Sequence, residues 1–144
     1  MAYFPSTFPA VAPTLDDRHF WELCAARRLC FQRCVNCKTF RHPPAPFCPR
    51  CQSLASDWVE APTVATIFSF TVVYHPSHSD AISAVPYNVV LVEFESCSGV
   101  RLVSNVIDES VDALTVGARV ELAWDAGTGG QWLPRFRLLR LKQT

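Results

Sequence analysis

Four cysteines stand in two pairs, Cys34-Val35-Asn36-Cys37 and Cys48-Pro49-Arg50-Cys51, with ten residues between the pairs. Each C-x-x-C closes a tight knuckle that aims two sulfurs at one point. Two knuckles supply the four thiolates of a tetrahedral site, the donor set and geometry of Zn²⁺. Iron accepts the same four sulfurs. The short spacer makes the unit two small hairpins facing each other, a zinc ribbon. Two disulfides are the competing reading, and they need an oxidising compartment. The chain has seven cysteines, an odd number, which disfavours a disulfide scaffold. Four thiolates leave no open position for water or substrate, so the expected zinc is structural. Cys24, Cys30 and Cys97 lie outside the pairs and read as reduced, buried small apolar residues. Cys30, four residues before Cys34, is a spare candidate ligand.

At 144 residues with 49% apolar content, the chain can bury a core without disulfides. The start, MAYFPSTFPAVAP, has no basic region and is broken by Pro5, Pro9 and Pro13, unlike a secretory leader. No apolar run reaches transmembrane length. The cytoplasm is the expected compartment, with no membrane partner. Net charge is zero but uneven: −2 over residues 1–17, +6 over 18–50 and −4 over 51–144. Part of the positive segment offsets a Zn(Cys)₄ centre of charge −2. The rest can face an anionic cofactor, a nucleic acid or an acidic partner surface.

Residues 1–14 form a proline-rich arm carrying Tyr3, Phe4 and Phe8. It cannot be a helix or an interior strand, and its aromatics point to a segment lying against something. Residues 15–29 read as a helix with Thr14 as cap, Asp17 three residues later, and Phe20, Leu23 and Cys24 on one face. The ribbon follows, and helix plus ribbon span 15–61. From residue 62 the period changes to two. Val64–Tyr74 places Phe68, Phe70, Val72 and Tyr74 on one face. Tyr87–Glu95 is nearly all apolar, and Val100–Ile107 follows a Ser96–Gly99 turn. Arg119–Asp125 alternates, with Val120, Leu122 and Trp124 inward and Asp125 outward. Trp132–Leu141 is the fifth strand, with Pro134 at an edge or bulge, and a helical stretch at Glu109–Leu114 separates the third from the fourth. Five strands with that insert are the layout of an OB-fold barrel, here 62–144. The fold class is mainly β: helix, zinc ribbon, five-stranded OB barrel.

The stretch HFWELCAARRLCFQRCVNCKTFRHPPAPFCPRCQSLASDWVEA, with IFSFTVVYHP, PYNVVLVEFE, VRLVSNVI and LTVGARVEL after it, resembles the acyl-CoA-associated OB-fold family. Its members carry a rubredoxin-like zinc ribbon before the barrel. The resemblance covers about residues 18–141. It implies a non-catalytic accessory subunit that pairs with a thiolase-like or lipid-transfer-protein-like catalytic subunit and helps shape its acyl-CoA site. The reactions implied are thiolytic or retro-aldol C–C cleavage in steroid side-chain or aromatic acyl-CoA degradation. A coenzyme A ester is then the substrate of the complex, Cys34, Cys37, Cys48 and Cys51 are the zinc ligands, and no catalytic residue carries over. One departure is Ala61-Pro62-Thr63-Val64-Ala65-Thr66, where the family usually has a glycine before the first barrel strand.

Other groups are weaker candidates. Arg41 and His42 precede the proline run and can meet a CoA phosphate, since Arg matches phosphate geometry bidentately. His75, His78 and Asp80 share the long loop 75–86, which reads as a polar inter-strand loop or the border of a partner's site. Arg135, Arg137 and Arg140 read as a solvated face. Four tryptophans and ten phenylalanines exceed what a small barrel buries and favour an interface. A nucleic-acid-binding ribbon and a stand-alone acyl-CoA-binding protein are the alternatives. The acidic barrel half and the missing aromatic-plus-basic stacking pattern count against the first.

Overall fold

The structure, a computed structural model, describes residues 2–140. Helix α1 is shorter than expected, Arg18–Ala25. Thr14 and Asp17 do bond reciprocally: the Thr14 N–H and hydroxyl donate to the Asp17 carboxylate at 2.6 and 2.9 Å, and the Asp17 N–H donates to Thr14 Oγ1 at 3.4 Å. That box closes a turn ahead of the helix, so Leu15, Asp16 and Asp17 lie outside it. At the other end Arg27 takes φ 55° and the Arg28 N–H reaches back to the Leu23 carbonyl at 2.9 Å, a Schellman-type stop. This reversal sends Leu29, Cys30 and Phe31 straight into the core.

The ribbon is a three-stranded antiparallel sheet, order β2-β1-β3, from Cys30–Cys34 (β1), Phe40–Arg41 (β2) and Ser56–Glu60 (β3). Arg33 sits opposite Asp57 across β1 and β3 and donates to both carboxylate oxygens, at 3.0 and 2.8 Å.

The barrel has strands β4 (Val64–Val73), β5 (Tyr87–Phe94), β6 (Val100–Ser104), β7 (Arg119–Ala126) and β8 (Trp132–Leu138), in the antiparallel order β6-β5-β4-β7-β8. The open edges meet where Val106 bridges Phe136 in parallel. The Phe136 N–H donates to Asn105 at 3.1 Å and the Ile107 N–H to Phe136 at 2.8 Å. That order and closure are an OB fold. Pro134 lies inside β8 opposite Trp124, and its carbonyl accepts from the Ser104 hydroxyl at 2.7 Å.

Two parities differ from the simple alternation. A bulge between Ile67 and Ser69 shifts the β4 register. Ala65 and Ile67 are buried, Phe68 is pushed out to 43% exposure, and Phe70 and Val72 return to half-buried positions. The Arg101 guanidinium covers Phe68 at 3.5 Å from the ring centroid. On β7, Asp125 is buried, against expectation, because the arm crosses that face. The arm is tethered. Tyr3 donates its N–H to Asp125 at 3.2 Å, and its hydroxyl accepts from the Asn88 N–H and Nδ2 at 3.1 and 2.9 Å. Phe4 stacks on Phe8 and meets Tyr87 edge-on.

Loop 75–86 folds into a 3₁₀ turn, Ser79–Ala84, with His78 Nδ1 accepting from the Asp80 N–H at 3.2 Å. The expected helical stretch at 109–114 shrinks to a 3₁₀ turn, Val111–Ala113. Leu141, the expected end of the last strand, falls outside the described residues. Helix, ribbon and barrel share one hydrophobic core: Phe20, Cys24 and Phe31 join Val92, Phe94 and Phe136, with Phe31 4.9 Å from Phe94.

Candidate metal centre

The two knuckles share the same backbone turn. The Cys34 N–H donates to Thr39 and the Cys48 N–H to Ser53, each at 2.9 Å. Lys38 returns its N–H to the Cys34 carbonyl at 3.0 Å, and Gln52 returns its own to Cys48 at 2.9 Å. Both Lys38 and Gln52 stand at φ 63°, which lets each turn close without glycine. Backbone N–H groups face the sulfurs: Cys37 N–H to Cys34 Sγ and Arg50 N–H to Cys48 Sγ, both 3.4 Å. This repetition comes from the repeated C-x-x-C, and it places the pairs face to face.

All four sulfurs lie within 4.8 Å of one another, with Cys34 Sγ 3.5 Å from Cys51 Sγ and Cys37 Sγ 3.6 Å from Cys48 Sγ. A tetrahedron with Zn–S bonds of about 2.3 Å has S···S edges of roughly 3.8 Å, so the set fits zinc. Disulfides need S–S near 2.05 Å and are excluded at these separations. Hydrogen bonds favour the thiolate at Cys37 and Cys34, whereas Cys51 is raised, the bond from Ser53 being outweighed by its sulfur neighbours Cys34 and Cys37 and by burial. The Thr39 hydroxyl holds the Cys37 thiol down at about 6, and the Cys37 N–H lowers Cys34. Cys30 takes no part. It is buried in the core with Cys24, whose thiol burial pushes up to about 12, with a smaller push from Cys30. Cys97 is buried as well.

Arg41 and His42 are turned inward rather than presented as a phosphate clamp. Arg41 is 5% exposed and donates Nε and Nη2 to the Ala45 carbonyl at 3.1 and 2.9 Å, which pins the turn before the proline run. His42 sits between Phe20 and Phe31, centroids 5.0 and 5.3 Å away, and burial lowers its pKa to about 4. Arg135, expected on a solvated face, is largely buried: its Nε donates to Asp125 at 3.5 Å, and burial lowers its pKa. Arg137 and Arg140 do stay outside, paired with Asp108 and Glu109. Sequence reasoning missed Asn88, whose Oδ1 accepts from the Val106 N–H at 2.7 Å and whose Nδ2 donates to the Val106 carbonyl at 2.8 Å, with Asn105 donating to its backbone carbonyl. An asparagine in an otherwise apolar strand was its only signal.

A closed four-thiolate ribbon packed on a five-stranded OB barrel defines a class, the zinc-ribbon OB-fold proteins. Residues 21–56 match the ChsH2 rubredoxin-like zinc ribbon domain, and residues 58–125 match the ChsH2 C-terminal OB-fold domain. A solved Ltp2–ChsH2(DUF35) aldolase contains a chain of 40% identity and TM-score 0.80, matched over 90% of this chain and 98% of that one. The chain belongs to the ChsH2 family. A DUF35-family protein of unknown function from Sulfolobus solfataricus, 20% identical with TM-score 0.63 over 87% of this chain and 86% of its own, shares the fold. A Thermomonospora curvata protein named as a probable enoyl-CoA hydratase alpha subunit is 40% identical over 129 residues, 90% of this chain. The chain spans 39% of that relative's length.

Proposed function

We propose that this chain is a non-catalytic subunit of an acyl-CoA carbon–carbon cleaving complex. It docks on a lipid-transfer-protein-like catalytic subunit of the thiolase type and helps form the acyl-CoA site. The observation that carries this is the 98% coverage, at 40% identity, of a chain from an assembly described as an Ltp2–ChsH2 aldolase. That description favours retro-aldol over thiolytic cleavage. Four cysteines take all four positions of a tetrahedral metal, so the centre is suited to a structural role. Zinc would lock the two knuckles together and so fix the ribbon's outer surface. That surface carries exposed Val35, Phe47 and Leu54, and the barrel's outer face carries Phe68 and Val103. Apolar side chains so exposed are suited to a protein partner.

A second reading, association with a hydratase, rests on the name of the Thermomonospora curvata relative. Nucleic-acid binding is disfavoured. OB folds grip strands between the loops that here join β4 to β5 and β7 to β8, and the chain's own arm lies there, through Phe8 to His78 and Ser6 to Thr128. The test is affinity capture of the tagged full chain from its native extract, with metal analysis. A stoichiometric thiolase-fold protein and about one zinc per chain support the reading, and a zinc-loaded monomer overturns it.

A further inference from the structure

The arm, α1 and β8 enclose a cleft of two adjoining cavities, about 260 and 190 Å³, that share Trp21, Leu133 and Arg135 as walls. Most of those walls lie outside residues 21–56 and 58–125, the segments that define the family. The larger cavity is closed on one side by Phe4, Phe8 and Ala10 of the arm. Its polar groups are few and unusual. Arg135 has a side chain 13% exposed beside Asp125 at 5%. Asp125 accepts from both Arg135 Nε and the Tyr3 N–H. Among the described residues, only Nε of Arg135 has a protein acceptor; Nη1 and Nη2 are not sealed off from solvent, and Arg135 lines both cavities, so these are donors the cleft can offer. His42, a wall of the smaller cavity, has a buried Nδ1 with no partner.

We infer that this cleft binds a small neutral apolar molecule whose single carbonyl oxygen accepts from Arg135. The Nη groups of Arg135 are the cleft's free donors, and a carbonyl that replaces their water there keeps a charge-assisted hydrogen bond while its apolar part is buried. The acceptor has to be uncharged. Asp125 already neutralises Arg135, so a carboxylate would leave net negative charge in a low-dielectric cleft. Asp17, at the wall of the smaller cavity, adds repulsion. The His42 ring is held neutral by its burial. A ketone or ester gives the donors their acceptor and brings no charge, while its hydrocarbon part covers Trp21, Leu133 and Phe4. The inference goes beyond the subunit assignment and does not need a partner protein.

The probes are 2-octanone and octanoate, titrated into the zinc-loaded full chain and followed by the Trp21 indole N–H and Arg135 Nε–H resonances. The expected result is saturable shifts with 2-octanone and binding about tenfold weaker for octanoate, one charge-assisted hydrogen bond's worth set against an unneutralised charge. The double variant D125N/R135M removes the pair and leaves an acceptor for the Tyr3 N–H, and it should weaken 2-octanone about tenfold. Ala10→Phe, at an exposed position on the cavity wall, should block entry without touching the core. Equal binding of octanoate, or 2-octanone binding unchanged in both variants, overturns the inference. So does a cleft that ignores both probes while Ala10→Phe releases a protein partner, because the cleft is then a docking surface.

Discussion

Among the contacts that hold the arm to the barrel, the Tyr3 hydroxyl serves two donors of Asn88, and removing it gives a sharp test. In Tyr3→Phe the ring keeps its edge contact with Phe4, centroids 5.0 Å apart. Two donors lose their acceptor: the Asn88 N–H at 3.1 Å and Asn88 Nδ2 at 2.9 Å. Nδ2 keeps its bond to the Val106 carbonyl. The backbone N–H, on a residue 1% exposed, has no substitute. A buried donor left unmatched costs about 1–3 kcal/mol. For a chain of this size each kcal/mol shifts Tm by about 2–4 °C, so the variant should melt roughly 2–12 °C below the parent. Calorimetry at pH 7 on zinc-loaded protein reads this, and amide exchange at Asn88 localises it. A Tm within 1 °C of the parent, with Asn88 exchange unchanged, would refute the claim that the arm is part of the fold.

Removing metal should be severe. Cys48→Ser should reduce bound zinc from one per chain to near none and abolish exchange protection in β1–β3, since structural zinc supplies about 10–16 kcal/mol of apparent binding free energy to such folds. Acid should act through His42. Its folded pKa of about 4 lies below its ordinary 6.5, so the unfolded chain takes up the proton first. Stability is then full above pH 6.5 and falls by about 3 kcal/mol as pH drops to 4, a loss that denaturant melts should find absent in His42→Phe. Arg101→Ala uncovers Phe68 but removes only an exposed cation–π contact and an exposed pair with Glu93, so it should cost no more than about 1 kcal/mol in the same melts.

The ribbon was legible in the sequence because its chemistry is local: C-x-x-C fixes each knuckle, and the ten-residue spacer fixes how they meet. The barrel strands were legible for a similar reason, since period two is visible along the chain. What escaped was set by tertiary contact. The Phe68 bulge flips parity to fit β5 and β7, and nothing in Ile67-Phe68-Ser69 announces it. Asp125 and Arg135 are charged residues at plausible outward positions, and only the arm, more than a hundred residues away in sequence, buries them. Arg41 reads in the sequence as a candidate for a CoA phosphate because the turn it serves, through the Ala45 carbonyl, depends on how the proline run folds back.

The subunit assignment is tested most directly by reconstitution. The thiolase-fold protein captured with this chain would be purified alone and with the chain, and carbon–carbon cleavage of a β-hydroxyacyl-CoA measured beside the mass of the complex by light scattering. The expected result is a stable hetero-oligomer whose cleavage activity appears only when the zinc-loaded chain is present. A catalytic protein fully active alone, with this chain remaining a separate monomer, would contradict it.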